Sequence, residues 1–190
     1  MPDLFEMTID SPVGPLGLVA SDRALVAVRF EHERHPFRAK AEPASHHPLL
    51  ERAARELGEY FRGQRRRFET PLAPEGTPFQ LLTWAALREI PFGERISYGE
   101  LARRIGRPGS SRAVGGANGR NPLPIVVPCH RVIGANGTLT GFGGGIEVKR
   151  WLLDHEAPQW SPAEGARSLI FSSRREGDPF IGAPSVRSSR

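Results

Sequence analysis

Cys129 is the only cysteine in the chain, and it stands directly before His130. A thiol acts as a nucleophile only as its thiolate, and an imidazole is a common base for making one. An acid, Glu156, follows His155 downstream, so the members of a Cys–His–acid relay are all present. A lone cysteine is more often a buried structural residue than a reactive one. The setting argues for reactivity here. Pro124 and Pro128 bracket the apolar run Ile125–Val127. They fix φ and remove backbone donors, so the approach to Cys129 is rigid rather than helical. Behind it, Asn136-Gly137 is a tight-turn signal between Val132-Ile133 and Thr138-Leu139. Adjacent side chains can point apart, so Cys129 and His130 would communicate through a bridging water. The pattern predicts a nucleophile on a stiff loop.

Other chemistry is weaker. One cysteine excludes an internal disulfide framework and a zinc site of several thiolates. His32-Glu-Arg-His35 and His46-His47 sit in a polar stretch without further obvious ligands, so no metal is expected. Gly141–Gly145 is no dinucleotide fingerprint, because the third glycine position is Ile146 and no strand-turn-helix unit surrounds it. No cofactor is expected.

Two groups of elements must position these residues. Apolar positions alternate in short bursts at Phe5, Met7 and Ile9, at Leu16 and Leu18, and from Leu25 to Phe30. With turn residues between them they predict a three-stranded antiparallel meander. Residues 31–48 lack a period and read as a loop. Leu49, Leu50, Ala53, Ala54, Leu57, Tyr60 and Phe61 predict an amphipathic helix ending near Gly63. Phe68–Leu72 is a candidate further strand, and the basic triplet before it reads as a solvated loop rather than a phosphate contact.

Pro71–Pro78 marks a boundary, with Thr77 as N-cap and Pro78 at the first helical position. Beyond it the character becomes helical. Phe79, Leu82, Trp84, Ala85, Leu87 and Ile90 predict one helix, stopped by Pro91-Phe-Gly93. Ser97 caps a second, Tyr98–Ile105, with Glu100 at the capping-box position. Ser110-Ser111 caps a third, about residues 112–118, and the last covers Glu147–His155. The pattern divides the chain into 1–74, an α/β unit, and 77–157, a helical unit. Residues 158–190 are rich in Ser, Arg, Gly and Pro and read as a disordered tail.

The second and third helices, joined by a Gly-containing turn, have helix-turn-helix spacing, a weak signal by itself. The third is unusually small: Ala113, Gly115, Gly116 and Ala117. Glycine costs a helix about 1 kcal/mol. Either another helix packs closely on that face, or a ligand must approach it. Arg103, Arg104, Arg107, Arg112 and Arg120 add phosphate-directed charge. The formal charge of +5 favours a polyanionic partner. With 38% hydrophobic and 25% charged residues and no apolar run of spanning length, the chain reads as soluble and not membrane-bound. A single free thiol fits a reducing compartment, so the reading is cytoplasmic.

At this point the motifs become specific. Pro-Cys-His-Arg-Val at 128–132 is preceded by Ser-Arg-Ala-Val-Gly at 111–115 and Arg-Asn-Pro at 120–122. It is followed by Gly-Phe-Gly-Gly-Gly and Leu-Leu-Asp-His-Glu. Together these resemble the O6-alkylguanine-DNA alkyltransferases over about residues 77–157. The resemblance implies an α+β fold. A ribonuclease-H-like antiparallel sheet with one helix would precede an all-α, winged-helix-like domain carrying the helix-turn-helix. It implies a monomeric DNA-repair methyltransferase that binds double-stranded DNA through the minor groove. Such a protein flips O6-alkylguanine from the stack and moves the alkyl group onto its own cysteine, once. It leaves open the preference among alkyl groups and whether O4-alkylthymine is also taken.

By resemblance, Cys129 is the acceptor, His130 its base and Glu156 the residue that orients His130. Tyr98 donates to guanine N3 and crowds the flanking phosphate. Arg112 replaces the flipped nucleotide, with Ala113, Gly115, Gly116 and Ala117 against the groove. Asn121 braces the loop. The carbonyls of Cys129 and Val132 accept from the guanine amino group, and the Gly143 amide donates to O6. Pro124 and Phe142 wall the pocket. Phe142 and Gly143 stand where some members have Tyr and Ser, so stacking and an amide bond are what carry over. Two other readings compete: a DNA-binding regulator with a structural cysteine, and a cysteine hydrolase.

Overall fold

The computed structural model describes residues 3–31 and 39–157. The expected disorder of 158–190 and the pair His32 and His35 lie outside the described residues. The meander forms as its alternation requires: β1 (Phe5–Ile9), β2 (Leu16–Ala20) and β3 (Leu25–Phe30) pair antiparallel in sequence order. The stretch read as loop supplies one more strand. β4 (Glu42–Pro43) joins the free edge of β1 in parallel, giving the order β3-β2-β1-β4. Two residues without alternation carry no periodic signal, so nothing in the sequence marked it.

The helix α1 (Pro48–Phe61) packs across this sheet through Leu50, Ala53, Leu57 and Tyr60. His47, considered as a metal ligand, is its N-cap, accepting from the Leu50 amide at Nδ1. Phe68–Leu72 is not a strand. Leu72 makes only an isolated bridge to Leu25, because Glu56, buried in α1, takes the amides of Glu69 and Thr70 instead.

In the second half, α2 (Pro78–Arg88) starts from a true capping box. Thr77 accepts from the Gln80 amide and Gln80 reaches back to the Thr77 amide. Leu82 and Ala85 face solvent, whereas Thr83 is buried and donates to the Phe79 carbonyl. The next helix, α3 (Tyr98–Arg104), has Ser97 as cap, but Glu100 turns away from it to bind Arg103 and Arg104. The helix α4 (Ser111–Asn118) follows a six-residue turn; Ser110 precedes it without a side-chain cap bond. Last comes α5 (Ile146–Glu156).

This half is not all helix, although the α+β class stands. β5 (Ile96–Ser97) and β6 (Val132–Ile133) form a short parallel pair. Asn136-Gly137 does turn the chain, with the Gly134 amide donating to the Thr138 carbonyl, but β6 takes β5 rather than Thr138-Leu139 as its partner.

One core runs through both halves, from Leu16 and Leu57 to Trp84, Val114 and Leu152. The first half also touches the cysteine loop directly. The Val28 amide donates to the Pro122 carbonyl at 2.8 Å, and the Phe30 ring meets Phe142 edge-on. Gly144 lies so close to Phe30 that a Cβ there would stand 2.9 Å from three ring atoms.

Candidate active site

The loop before Cys129 is held in a costly shape. Ile125 has φ of +72°, and it is the only non-glycine residue with positive φ among the described residues. For a β-branched side chain this costs about 1–3 kcal/mol, and it persists only where the surroundings over-determine it. They do: Ile125 is fully buried, and the Val127 amide donates to the Leu123 carbonyl at 2.8 Å. Asn121 donates from Nδ2 to the Val127 carbonyl at 2.8 Å and accepts from the Leu123 amide at 3.0 Å. The two prolines thus frame a rigid turn that delivers Cys129–Arg131 as one 3₁₀ turn.

Cys129 is free and 3% exposed. Burial pushes its thiol up, while a hydrogen bond from Asn121 and the positive charge of Lys149 act the other way. At neutral pH the resting group is therefore a thiol. His130 is fully buried, and burial holds its imidazole below the usual value against the pull of Glu156. It too rests neutral. Its Nε2 lies 2.9 Å from Glu156 Oε1. A carboxylate only accepts, so Nε2 carries the proton and Nδ1 holds the lone pair. That Nδ1 is buried and has no partner among the described residues.

Glu156, the last residue of α5, collects donors from three other segments. Oε1 accepts from the Tyr60 hydroxyl at 2.8 Å, His130 Nε2 at 2.9 Å and Arg131 Nη2 at 2.9 Å. Oε2 accepts from Arg131 Nε at 2.8 Å and the Gly93 amide at 3.1 Å. Burial alone would raise this carboxyl. Hydrogen bonds from His130 and Arg131 and the Arg131 charge outweigh it and hold the group well below the carboxylate range. Gly93 has φ of +80° where a Cβ would stand 3.2 Å from the Glu156 carbonyl, so glycine suits this approach.

On the other side, Tyr98 begins α3. Its hydroxyl lies 3.3 Å from Thr140 Oγ1, and burial raises its phenol. Lys149 is fully buried and donates from Nζ to the Val132 carbonyl at 2.6 Å and the Thr140 carbonyl at 2.8 Å. Burial lowers its ammonium to about 8, with Cys129 opposing. The Cys129 carbonyl accepts from Asn118 Nδ2 at 3.2 Å. Pro124 and Phe142 are buried; Gly143 is half-buried with open space where a Cβ would be.

The small-residue helix α4 divides by face. Arg112 and Ala113 are exposed, and Arg112 pairs with no described residue. Ala117, expected beside them, instead points inward at 4% exposure, and its carbonyl accepts from Trp84 Nε1 at 2.9 Å. A Cβ on Gly115 would make ordinary contact with Tyr98, and one on Gly116 would meet only the guanidinium end of Arg120, 3.3 Å away. Packing within the protein explains Ala117 but does not require either glycine. Arg103 and Arg104 are already engaged by Glu100, unlike Arg112.

Comparison with known proteins accounts for both halves. Residues 4–74 match the family model for the 6-O-methylguanine DNA methyltransferase ribonuclease-like domain. Residues 78–158 match the DNA binding domain of the same methyltransferases. A methylated-DNA–protein-cysteine methyltransferase of Methanosarcina acetivorans is 44% identical over 153 residues, covering 80% of this chain and 98% of its own. The chain belongs to the 6-O-methylguanine DNA methyltransferase family. A Mycobacterium tuberculosis relative is 48% identical over 158 residues, covering 83% of this chain and 94% of that one. The crystal structure of Mycobacterium tuberculosis OGT in complex with DNA superposes with TM-score 0.77 at 44% identity, covering 87% and 99% of the two chains.

Within this family member, three site groups escaped the sequence reading. Lys149 belongs to the inward stripe Lys149, Leu152, Leu153, Glu156 of α5, and a lysine among leucines at that spacing was the available signal. Arg131 sits inside the quoted Pro-Cys-His-Arg motif, where roles were read for Cys129, His130 and Val132 but none for Arg131 itself. Tyr60 carried no signal beyond its place on the apolar face of α1.

Proposed function

We propose that this methyltransferase repairs double-stranded DNA by moving the alkyl group of O6-alkylguanine onto Sγ of Cys129, one event per molecule. The observation that carries the reading is the buried cluster: a free Cys129, a His130 whose Nδ1 has no partner among the described residues, and Glu156 2.9 Å from its Nε2. The Cys129 proton passes by way of a water to His130 Nδ1, and the imidazolium is stabilised by Glu156. Sulfur then attacks the alkyl carbon, a C–S bond forms and the C–O6 bond breaks. Tyr98 supplies a proton to guanine N3 as charge builds on the leaving base, so the base departs neutral. A thioether is a poor leaving group, which makes the step irreversible and the protein single-turnover.

The thiol is buried, so the base must leave the helix to reach it, at a cost of a few kcal/mol. Arg112, exposed and unpaired among the described residues, is placed to fill the gap. Ala113, Gly115 and Gly116 leave α4 thin enough for the minor groove. The Cys129 and Val132 carbonyls and the Gly143 amide read the guanine edge, and Pro124 and Phe142 enclose it. All members of the relay come from one chain, which supports action as a monomer. A free thiol at the centre supports a reducing, cytoplasmic setting. Among the described residues no helix is long and apolar enough to cross a membrane.

Incubation with a duplex bearing one O6-methylguanine should add one methyl group to the Cys129 peptide, with at most one event per molecule by mass spectrometry. Cys129→Ala should bind that duplex and transfer nothing. Binding without transfer by the unaltered protein would sink the proposal.

A further inference from the structure

Tyr60 lies on α1, 96 residues before Glu156, yet its side chain ends inside the relay. It is fully buried, with its ring packed against Phe61, Phe68, Phe92 and His155. Its hydroxyl donates to Glu156 Oε1 at 2.8 Å, the same oxygen that takes His130 Nε2. We propose that Tyr60 is a positioning residue for alkyl transfer, through which the N-terminal half fixes the carboxylate that orients His130. The inference rests on the transfer reading above.

Three donors share Oε1: Tyr60, His130 and Arg131. Their geometry leaves the carboxylate little freedom to turn, and each bond draws charge from the others. Without the Tyr60 hydroxyl, more of that charge faces His130. The imidazolium is then favoured, and the carboxylate can rotate away from the line that sets the ring. The charged and titratable groups around the cluster are Arg131, Cys129, Lys149, Arg95 and, against Tyr60 itself, His155, whose Nε2 lies 2.8 Å from the Tyr60 carbonyl. None of them replaces the phenol.

Tyr60→Phe keeps the ring and removes one bond to a charged group, a class of interaction whose loss corresponds to about ten-fold or more in an equilibrium constant. The expected result is a ten-fold slower single-turnover transfer to Cys129, with duplex affinity changed less than two-fold. The His130 imidazole midpoint, followed by NMR, should move upward, and the acid limb of the rate profile should move with it. In a Glu156→Gln background the same substitution should change the rate less than two-fold. A wild-type rate in Tyr60→Phe, or equal losses in both backgrounds, overturns the inference. The NMR midpoint needs no transfer: if the unaltered protein moves no methyl group, the function reading fails while an upward shift still supports the Tyr60 link and an unmoved midpoint overturns it. Should Tyr60→Phe fail to fold, 3-fluorotyrosine at position 60 is a stronger donor and should move the midpoint downward; no movement overturns the link.

Discussion

Replacing Glu156 by Gln removes one charge from a buried cluster and strands another. Arg131 is 5% exposed and cannot lose its proton, so its charge stays in place. The carboxylate now accepts five hydrogen bonds, from Tyr60, His130, Gly93 and twice from Arg131. Gln offers one acceptor oxygen and turns an NH₂ toward the donors on the other side. In either orientation at least two donors lose their partner. Breaking a buried pair by removing one member costs about 3–5 kcal/mol. Two charge-assisted bonds at about 1.5–3 kcal/mol each lead to the same range. For a chain of this size that is a fall in Tm of about 6–20 °C. Urea denaturation with an unchanged m value measures it. The loss should depend on pH. Glu156 titrates far below the ordinary 4.5 in the folded protein, so its contribution is complete above that value and fades as pH falls toward the folded-state value. The gap between wild type and Glu156→Gln should therefore close in acid. In an Arg131→Leu background the substitution should cost at least 2 kcal/mol less, by the reasoning that no charge is then stranded. A loss below about 1 kcal/mol at pH 7, or additive losses in the cycle, would refute the stranded-charge account.

Lys149→Met should change the alkaline side of the stability curve. The folded value near 8 against 10.5 means the unfolded chain binds more protons between those limits, so wild type gains stability there as pH rises. The difference of 2.5 at 1.36 kcal/mol per pH unit bounds that gain at about 3 kcal/mol, and equal curves for both proteins would contradict it. Arg112→Ala should slow transfer most on a well-paired lesion and least on one opposite a mismatch, by single-turnover kinetics; equal slowing removes the gap-filling role. Ala113→Leu, on the exposed face of α4, should leave stability within about 0.5 kcal/mol and weaken duplex binding several-fold, which fluorescence anisotropy reads directly.

Much of the frame was legible because it rests on local rules. The alternation of β1 to β3, the apolar stripe of α1 and the Thr77-Pro78 start of α2 each declare themselves within a few residues. The pairing of His130 with Glu156 beside the buried Cys129 was legible through residue type and motif. What escaped was set by partners far away in sequence. β4 exists because β1 has a free edge, and β6 chose β5 over the nearer Thr138-Leu139. Ile125 takes positive φ against its own preference because Asn121 and the core close around it. Ala117 looked like its small neighbours, and only the position of Trp84 shows which face it serves.

The chemistry of a consumable residue explains why the site needs both halves. Cys129 can react once, so reactivity toward any passing electrophile or oxidant would waste the molecule. Burial answers this by raising the thiol and hiding it at 3% exposure. The same burial then opposes the transfer, and the groups that relieve it must act only with a base in place. They are held from several sides. Val28 ties the Pro122 carbonyl and Phe30 backs Phe142 and Gly144. Tyr60 fixes the carboxylate behind His130. All three come from the first half, while the thiol, the imidazole, Arg131 and Lys149 come from the second. A fragment of residues 77–157 would keep each reacting group and lose the frame that aligns them. Its cysteine should therefore be more open to general thiol reagents and slower toward the alkylated base, two changes that simple loss of contact area would not couple.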